Sequence, residues 1–324
     1  MYYNDDRGDD PPAPSSTISD EKERCHLSFT LSTLFQQIVN GLSLGSVYAL
    51  IAVGYSLVYS ILMFSNFAHG GFLVVGGYAC YYLLTRAGYG VALSMAGALV
   101  ASGVVAVVTE RAAYEPIRER TPITLYLLIA SMGVNIVIEN LFVVTVGGRV
   151  RALPPDTFPS GLFELGGGVT ASASDVLSFV VAVAFLGALQ LFLSRTRWGL
   201  AIRAAACDLR TAGLMGIDVA FLIGIVFFVA GVLAAVGGIF LSARYTLYPQ
   251  LGAITIKAFV AAVIGGLGSL PGAVVGSLVL GLAEMLTAGF VSSQMRDLVV
   301  YSMLVLMLLV RPAGFFGKQV ADKV

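Results

Sequence analysis

Few side chains within the apolar runs of this sequence can do chemistry, and they fall in a handful of places. Ser65, Asn66 and His69 stand together in MFSNFAHGGF (63–72), with Gly70 and Gly71 next in line. Glu139 lies in NIVIENLF and Glu284 in LGLAEML. A histidine in such a place invites three readings: metal ligand, general base or proton carrier. A metal site needs further ligands at close spacing. The second histidine, His26, is distant, and Cys25, Cys80 and Cys207 share no short spacing, which argues against a zinc site and a disulfide framework. The hydrolytic signature His-Glu-x-x-His is absent. GGLGSLPG (265–272) is rich in glycine, but no Lys-Ser or Lys-Thr follows, so the phosphate cradle of a P-loop is missing. A proton relay needs a connected series of ionisable groups, and none is present. The residues point to a protein that is not an enzyme and holds no cofactor or metal of its own.

The solvent of these groups decides their meaning. Of 324 residues, 57% are hydrophobic and only 12% charged, against about 25% charged in soluble domains. Too few charges remain to cover a soluble surface, so the solvent is lipid. A formal net charge of zero gives no electrostatic case for nucleic acid. Ionisable groups in lipid are costly and functional by default. Asn66, His69, Gly70, Glu139 and Glu284 are therefore candidate residues of a substrate path, set against the plainer reading that such groups stitch helices together. Ser65 or Asn66 is placed to cap a helix start, with His69 in its first turn as a neutral hydrogen-bonding group. Lys257 and Arg244 lie nearer segment ends, where long side chains snorkel to the headgroups.

Residues 1–33 are acidic, rich in Pro and Ser, and lack an apolar period, so disorder is expected there. From Leu34 onward, stretches near the ~20 residues needed to cross a bilayer follow one another, at about 34–61, 67–85, 91–109, 123–146, 175–194, 219–242, 255–266, 272–290 and 295–311. The run at 255–266 is too short to cross alone and ends in GGLGSLPG, which reads as a broken or re-entrant hairpin. The expected fold is an all-α polytopic membrane protein with about eight to nine transmembrane segments, a membrane domain over 34–318 and a short tail over 319–324. Arginines at 111, 118 and 120, at 195, 197, 203 and 210, and basic residues of the tail place those three regions in the cytoplasm. The loop at 147–174 and the N-terminal lead are then outside. Gly41, Gly45 and Ala49 form one stripe four apart, and Gly272 and Gly276 another, the spacing that lets membrane helices approach closely.

The loop SRTRWGLAIRAAACDLRTAGLMGID (194–218) has helix formers at its centre, bracketed by Gly199 and Gly213. Arg203 and Arg210, seven apart, share one face of the expected helix, with Leu200, Ala204 and Ala205 largely on another. Such a cytoplasmic helix lies along the membrane or docks into a partner's groove.

Read together, NGLSLGSVYALIAVGYSLVYSIL (40–62), NFAHGG (66–71), ERAAYEPIR (110–118), RWGLAIRAAACDLRTAGLMGI (197–217), KAFVAAVIGGLGSLPGAVVGSLVLGLAE (257–284) and RPAGFFG (311–317) resemble the LivH-type permeases of branched-chain amino acid ABC importers. The resemblance covers about 34–318, in order. It implies a multi-pass cell-membrane subunit that translocates branched-chain or related apolar amino acids by alternating access. The implied partners are a second, LivM-like permease, two cytoplasmic ATPases that use ATP and Mg, and an extracytoplasmic substrate-binding protein, with membrane lipid around them. It also implies that 197–217 is the ATPase coupling loop, with Gly199, Arg203, Ala205, Asp208 and Gly216 as its residues. Related permeases serve urea and short-chain amides, which is the alternative substrate class. A secondary amino-acid transporter is a more distant one.

Overall fold

A computed structural model describes residues 16–121, 123–166 and 168–317, with side chains from residue 31 onward apart from residue 165. Residues 1–15 of the polar lead and the tail at 319–324 lie outside the described residues. The lead was expected to be disordered over 1–33, but α1 runs Ser16–Leu62, so helix reaches back through residues 16–33.

The chain is mostly helical. After α1 come α2 (His69–Thr85), α3 (Val91–Thr109), a π-helical turn (Glu110–Tyr114), α4 (Glu115–Arg120) and α5 (Thr124–Val146). A hairpin of β1 (Leu162–Gly166) and β2 (Val169–Ser172) precedes α6 (Ala173–Arg195), α7 (Arg197–Cys207), α8 (Leu209–Leu214) and α9 (Val219–Tyr245). A 3₁₀ turn (Pro249–Ile254) leads into α10 (Thr255–Gly265), followed by α11 (Leu270–Phe290) and α12 (Arg296–Val310). Among the described residues, seven helices are long and apolar enough to cross a membrane: Leu31–Leu62, Val91–Arg120, Thr124–Val146, Ala173–Arg195, Val219–Tyr245, Leu270–Phe290 and Ser293–Val310.

The centre of the bundle is α1, which packs against α11, α9, α6 and α10, with α2 wedged between α3 and α9. Leu44, Leu50, Ile51, Val58 and Phe227 are fully buried there. By contrast α5, α6 and α12 turn large apolar side chains outward, among them Val144, Val180 and Leu309. An apolar outer surface is what a hydrocarbon solvent requires.

Two features hold the end of the bundle that carries the β hairpin. Gln36 of α1 exchanges two hydrogen bonds with the backbone of Thr170 in β2, at 2.7 and 2.9 Å. Arg151 and Leu247 form an isolated antiparallel bridge, and the Arg151 guanidinium lies over the rings of Tyr81 and Tyr82, 5.4 and 5.7 Å from their centroids.

The 11 residues of α10 rise about 16 Å, roughly half of the ~30 Å hydrocarbon core. Before it, Leu247, Pro249, Leu251 and Gly252 are buried although they are not α-helical. Irregular backbone at such depth is tolerated where protein surrounds it. Gly266 and Gly268 then take positive φ values of 106° and 82°, and the chain turns into α11. There Gly265 and Gly272 meet backbone to backbone, a contact a side chain at either position would block.

Candidate functional site

The break between α1 and α2 is a buried connection. Met63 adopts φ 53°, which ends α1, and Phe64, Asn66 and Ala68 are buried. Asn66 Oδ1 accepts from the Ala68 backbone N–H at 3.1 Å and from the Tyr114 hydroxyl at 2.9 Å. Ser131 Oγ accepts from the Phe67 N–H at 3.1 Å, so α5 also holds the break. The helix cap differs from the expectation. Ala68 occupies the capping position without a side-chain bond, and Asn66 instead serves the turn one residue earlier.

His69 is fully buried. Its ring packs edge-on to Tyr55 and Phe72, each 6.2 Å away between centroids. A Cβ on Gly54 would come within 2.9 Å of its Cε1. Neither ring nitrogen has a hydrogen bond of good geometry, the Ile51 backbone being a marginal partner. The expected hydrogen-bonding histidine is therefore a packed one in this conformation. Gly70 faces Gly252 of the 3₁₀ turn, whose carbonyl oxygen would stand 2.6 Å from a Cβ there. The close approach is by backbone, and it joins α2 to the broken entry of α10.

Glu284 lies apart from this cluster. Its carboxylate takes Lys257 Nζ at 2.8 Å and the Tyr48 hydroxyl at 3.1 Å, and Lys257 also reaches Asp297 at 2.8 Å. Four helices, α1, α10, α11 and α12, meet through these four side chains. Lys257 and Arg244 were expected to snorkel. Both are paired instead, Arg244 with Asp175 at 3.0 Å, because a nearby carboxylate offsets the cost of a charge at membrane depth. Glu139 is half-buried on α5 and makes no hydrogen bond or ion pair among the described residues. Its neighbour Ile138 packs onto Gly71.

The glycine stripes sit where helices cross. A Cβ on Gly281 would fall 2.5 Å from the Cα of Gly45 and 2.7 Å from the Gly41 carbonyl oxygen, so α1 and α11 touch by backbone. Ala49, one turn on, is buried. Gly276 faces the Ala261 carbonyl of α10 in the same manner.

The long loop at 194–218 is two helices, not one. Thr196 caps α7, accepting from the Gly199 N–H at 3.0 Å. Asp208 breaks the run and caps α8, its Oδ1 accepting from Arg210 and Thr211 N–H at 2.9 and 3.1 Å. The Thr211 hydroxyl and backbone N–H hold the Asp208 carboxyl below its ordinary range. A Schellman motif closes α8, with Ile217 N–H bonding the Ala212 carbonyl, Gly216 N–H bonding that of Gly213, and Gly216 at φ 86°. The break separates Arg203 and Arg210 onto different helices. The face of α7 that packs inward is Gly199, Ile202 and Ala205, while Leu200 is exposed. A Cβ on Gly199 would meet Leu193 Cα at 2.5 Å, so α7 folds tightly back on the end of α6. Leu214 and Met215 stand 82% and 79% exposed at the tip, with Trp198 and Leu200 also outward. A doubly capped element that presents apolar side chains outward is suited to sit in a groove.

Residues 37–308 match the family model described as branched-chain amino acid transport system, permease component. The chain belongs to that permease family. The high-affinity branched-chain amino acid transport system permease protein BraD of Pseudomonas aeruginosa is 39% identical over 89% of this chain and 97% of its own length. LivH of Escherichia coli K12, with the same description, is 37% identical over 89% and 97%. A probable LivH of Methanocaldococcus jannaschii is 28% identical over 83% and 88%.

Several polar residues of this permease escaped the reading of its sequence. Tyr48 looks like an ordinary apolar-segment tyrosine, and Tyr114 like an ordinary loop tyrosine, until their partners are known. Glu110 was read as part of a basic loop, yet it is fully buried, bonded by Arg118 at 3.0 Å with Arg111 at 3.7 Å. The π-helical turn that carries it inward has no signature in spacing. Asp175 and Arg244, 69 residues apart, gave no signal of pairing.

Proposed function

We propose that this permease is the translocating subunit of an ATP-binding cassette importer for branched-chain amino acids. The observation that carries the reading is 39% identity, over nearly the whole of both chains, to a relative named for that transport. The proposed partners are a second, LivM-like permease, two cytoplasmic ATPases that use ATP and Mg²⁺, and an extracytoplasmic binding protein. No cofactor is assigned to this chain itself.

In this reading the membrane domain at 34–318 crosses in nine segments, the seven long helices plus α2 and a broken segment made of the 3₁₀ turn and α10. The tight pair α10–α11, joined at Gly265 and Gly272, is the broken hairpin. Gly199, Arg203, Ala205, Asp208 and Gly216 belong to the coupling loop, and the apolar tip at Leu214 and Met215 enters the ATPase groove. Nucleotide-driven closure of the ATPases draws α7 and α8 together with the inner ends of α6 and α9. The nucleotide can shift the orientation only by as much as it binds one state better. Asn66, His69 and Gly70 border the path, with Glu139 and Glu284 on its flanks.

Affinity purification of the permease from its native membrane tests the assembly. Two P-loop ATPases and a second permease are expected to co-purify, and a leucine-loaded binding protein should stimulate their ATPase activity. A chain that purifies without ATPases and moves amino acids on an ion gradient would be a secondary transporter. Stimulation by a urea- or amide-loaded binding protein alone would move the substrate to that class.

A further inference from the structure

A crevice of about 210 Å³ opens between α1, α6 and α9. It lies at the outer ends of α6 and α9 in the orientation set by the basic loops. Its walls differ in chemistry. Leu44, Val47, Phe240 and Leu241 are apolar, whereas Asp175 and Arg244 carry opposite charges. Arg244 Nη1 donates to Asp175 Oδ1 at 3.0 Å, and Ser43 Oγ donates to the same oxygen at 2.9 Å. The contact is single-point. Among the described residues, Oδ2 of Asp175 accepts no hydrogen bond, and Nε and Nη2 of Arg244 donate none. A guanidinium has five donors, and its strong pairing with a carboxylate is bidentate, so most of its capacity is unused. The contrast with Lys257 and Glu284 is plain. That carboxylate is almost wholly buried and both its oxygens are bonded, whereas each side chain of the outer pair is 27% exposed.

We propose that this crevice binds the zwitterionic substrate, an L-α-amino acid with an aliphatic side chain. The inference rests on the amino-acid reading above. The α-carboxylate lies in the fork of Arg244, the α-ammonium meets Oδ2 of Asp175, and the side chain rests on Leu44, Val47 and Phe240. Each charge of the substrate then fills unused hydrogen-bonding capacity with a charge-assisted hydrogen bond of its own. The position in the chain gives the site a link to the cytoplasm. Asp175 is in the first turn of α6 and Arg244 in the last turn of α9, and α7–α8 joins the other ends of those same two helices. Further along, α6 and α9 are parted by an apolar cleft of about 230 Å³ lined by Phe185, Leu189, Phe228 and Val232. A shift of α7–α8 that changes the separation of α6 and α9 alters the distance between the two charges, and so the fit of a zwitterion.

The test is direct binding of radiolabelled L-leucine to the purified importer complex without its binding protein, with uptake measured in parallel. Unlabelled leucine is expected to compete. Analogues that lack one charge, 3-methylbutylamine and 4-methylpentanoate, should compete at least about tenfold more weakly. Arg244→Lys keeps a cation beside Asp175 but loses the planar fork, so a merely structural bridge would survive it. Leucine binding is expected to fall about tenfold with no change in melting temperature. Asp175→Asn should behave likewise. Wild-type leucine affinity in both variants, or competition by the analogues equal to that of leucine, overturns the site. So does ATP-driven leucine uptake by a wild-type complex that binds no leucine, a result that leaves the amino-acid reading standing. A wild-type importer that carries urea or amides and no amino acid removes the reading itself, and the site with it.

Discussion

Tyr114 donates its phenolic hydrogen to Asn66 Oδ1 across 2.9 Å, which ties the π-helical turn after α3 to the break between α1 and α2. Both residues are buried. The same oxygen accepts from the Ala68 N–H, so one side chain orders the turn into α2 and fixes its neighbour.

Tyr114→Phe removes the donor and leaves the ring in place between Phe64 and Phe227. The expected cost is about 1 kcal/mol, the net worth of one hydrogen bond. Asn66→Leu should cost more, because the Tyr114 hydroxyl and the Ala68 N–H then both lose a partner in a buried site. Thermal unfolding of the purified permease checks the order. An Asn66→Leu variant as stable as wild type would deny the break its polar anchor.

The crossing of α1 and α11 tolerates no side chain. Gly281→Val sets a branched side chain against the backbone of Gly45 and Gly41, where neither chain can yield locally. Overpacking of this kind costs about 1–3 kcal/mol, and expression in the folded state should fall. Gly133→Val on α5, where a Cβ meets nothing within 4 Å, serves as the control and should be tolerated.

Lys257→Met leaves Glu284 buried with Tyr48 as its one remaining partner. Breaking a buried pair from one side costs about 3–5 kcal/mol, whereas replacing both charges is often neutral. The double variant Lys257→Met with Glu284→Met should recover most of the folding lost by the single change. Its uptake then separates two roles. Restored transport marks a stitch between helices, and a folded but inactive transporter marks a carboxylate on the path.

Much of this arrangement was legible in the sequence, and for one reason. Apolar runs give the position of the long helices, so the runs read from hydropathy fall on helices in the structure, seven of them long and apolar enough to cross a membrane. GGLGSLPG gave the turn between α10 and α11 because its glycines are needed for positive φ and for a backbone contact. What could not be read were partnerships. Hydropathy places Glu284 within a helix, but only the packing of α1 and α10 supplies Tyr48 and Lys257. At His69 composition suggested a hydrogen bond, and the fold supplies two aromatic rings with the Ile51 backbone as a marginal partner. The cytoplasmic loop was read as one helix because its helix formers run without Pro or Gly. Asp208, a strong helix N-cap, was the overlooked signal.

That cap yields a prediction in pH. The folded state depresses the Asp208 carboxyl below the ordinary value of 3.8, so its contribution is present above that pH and is lost as pH falls through the lower folded value. Coupling between permease and ATPase should therefore show no pH dependence from the titration of Asp208 across the neutral and mildly acid range. Asp208→Asn, also a good cap, should keep most of the substrate-stimulated ATPase activity. Asp208→Ala should lose much of it, as should Gly216→Val, which forces a β-branched residue to φ 86°. Equal stimulation in all three variants would show that α8 plays no part in coupling.

The most direct test is uptake of radiolabelled leucine into proteoliposomes that hold the complete importer, with the binding protein outside and the ATPases facing ATP. The account predicts accumulation of leucine, isoleucine and valine that requires ATP and stops when the ATPases are omitted. Uptake that proceeds without ATP, or a complex that accumulates urea or short amides and none of these amino acids, would contradict it.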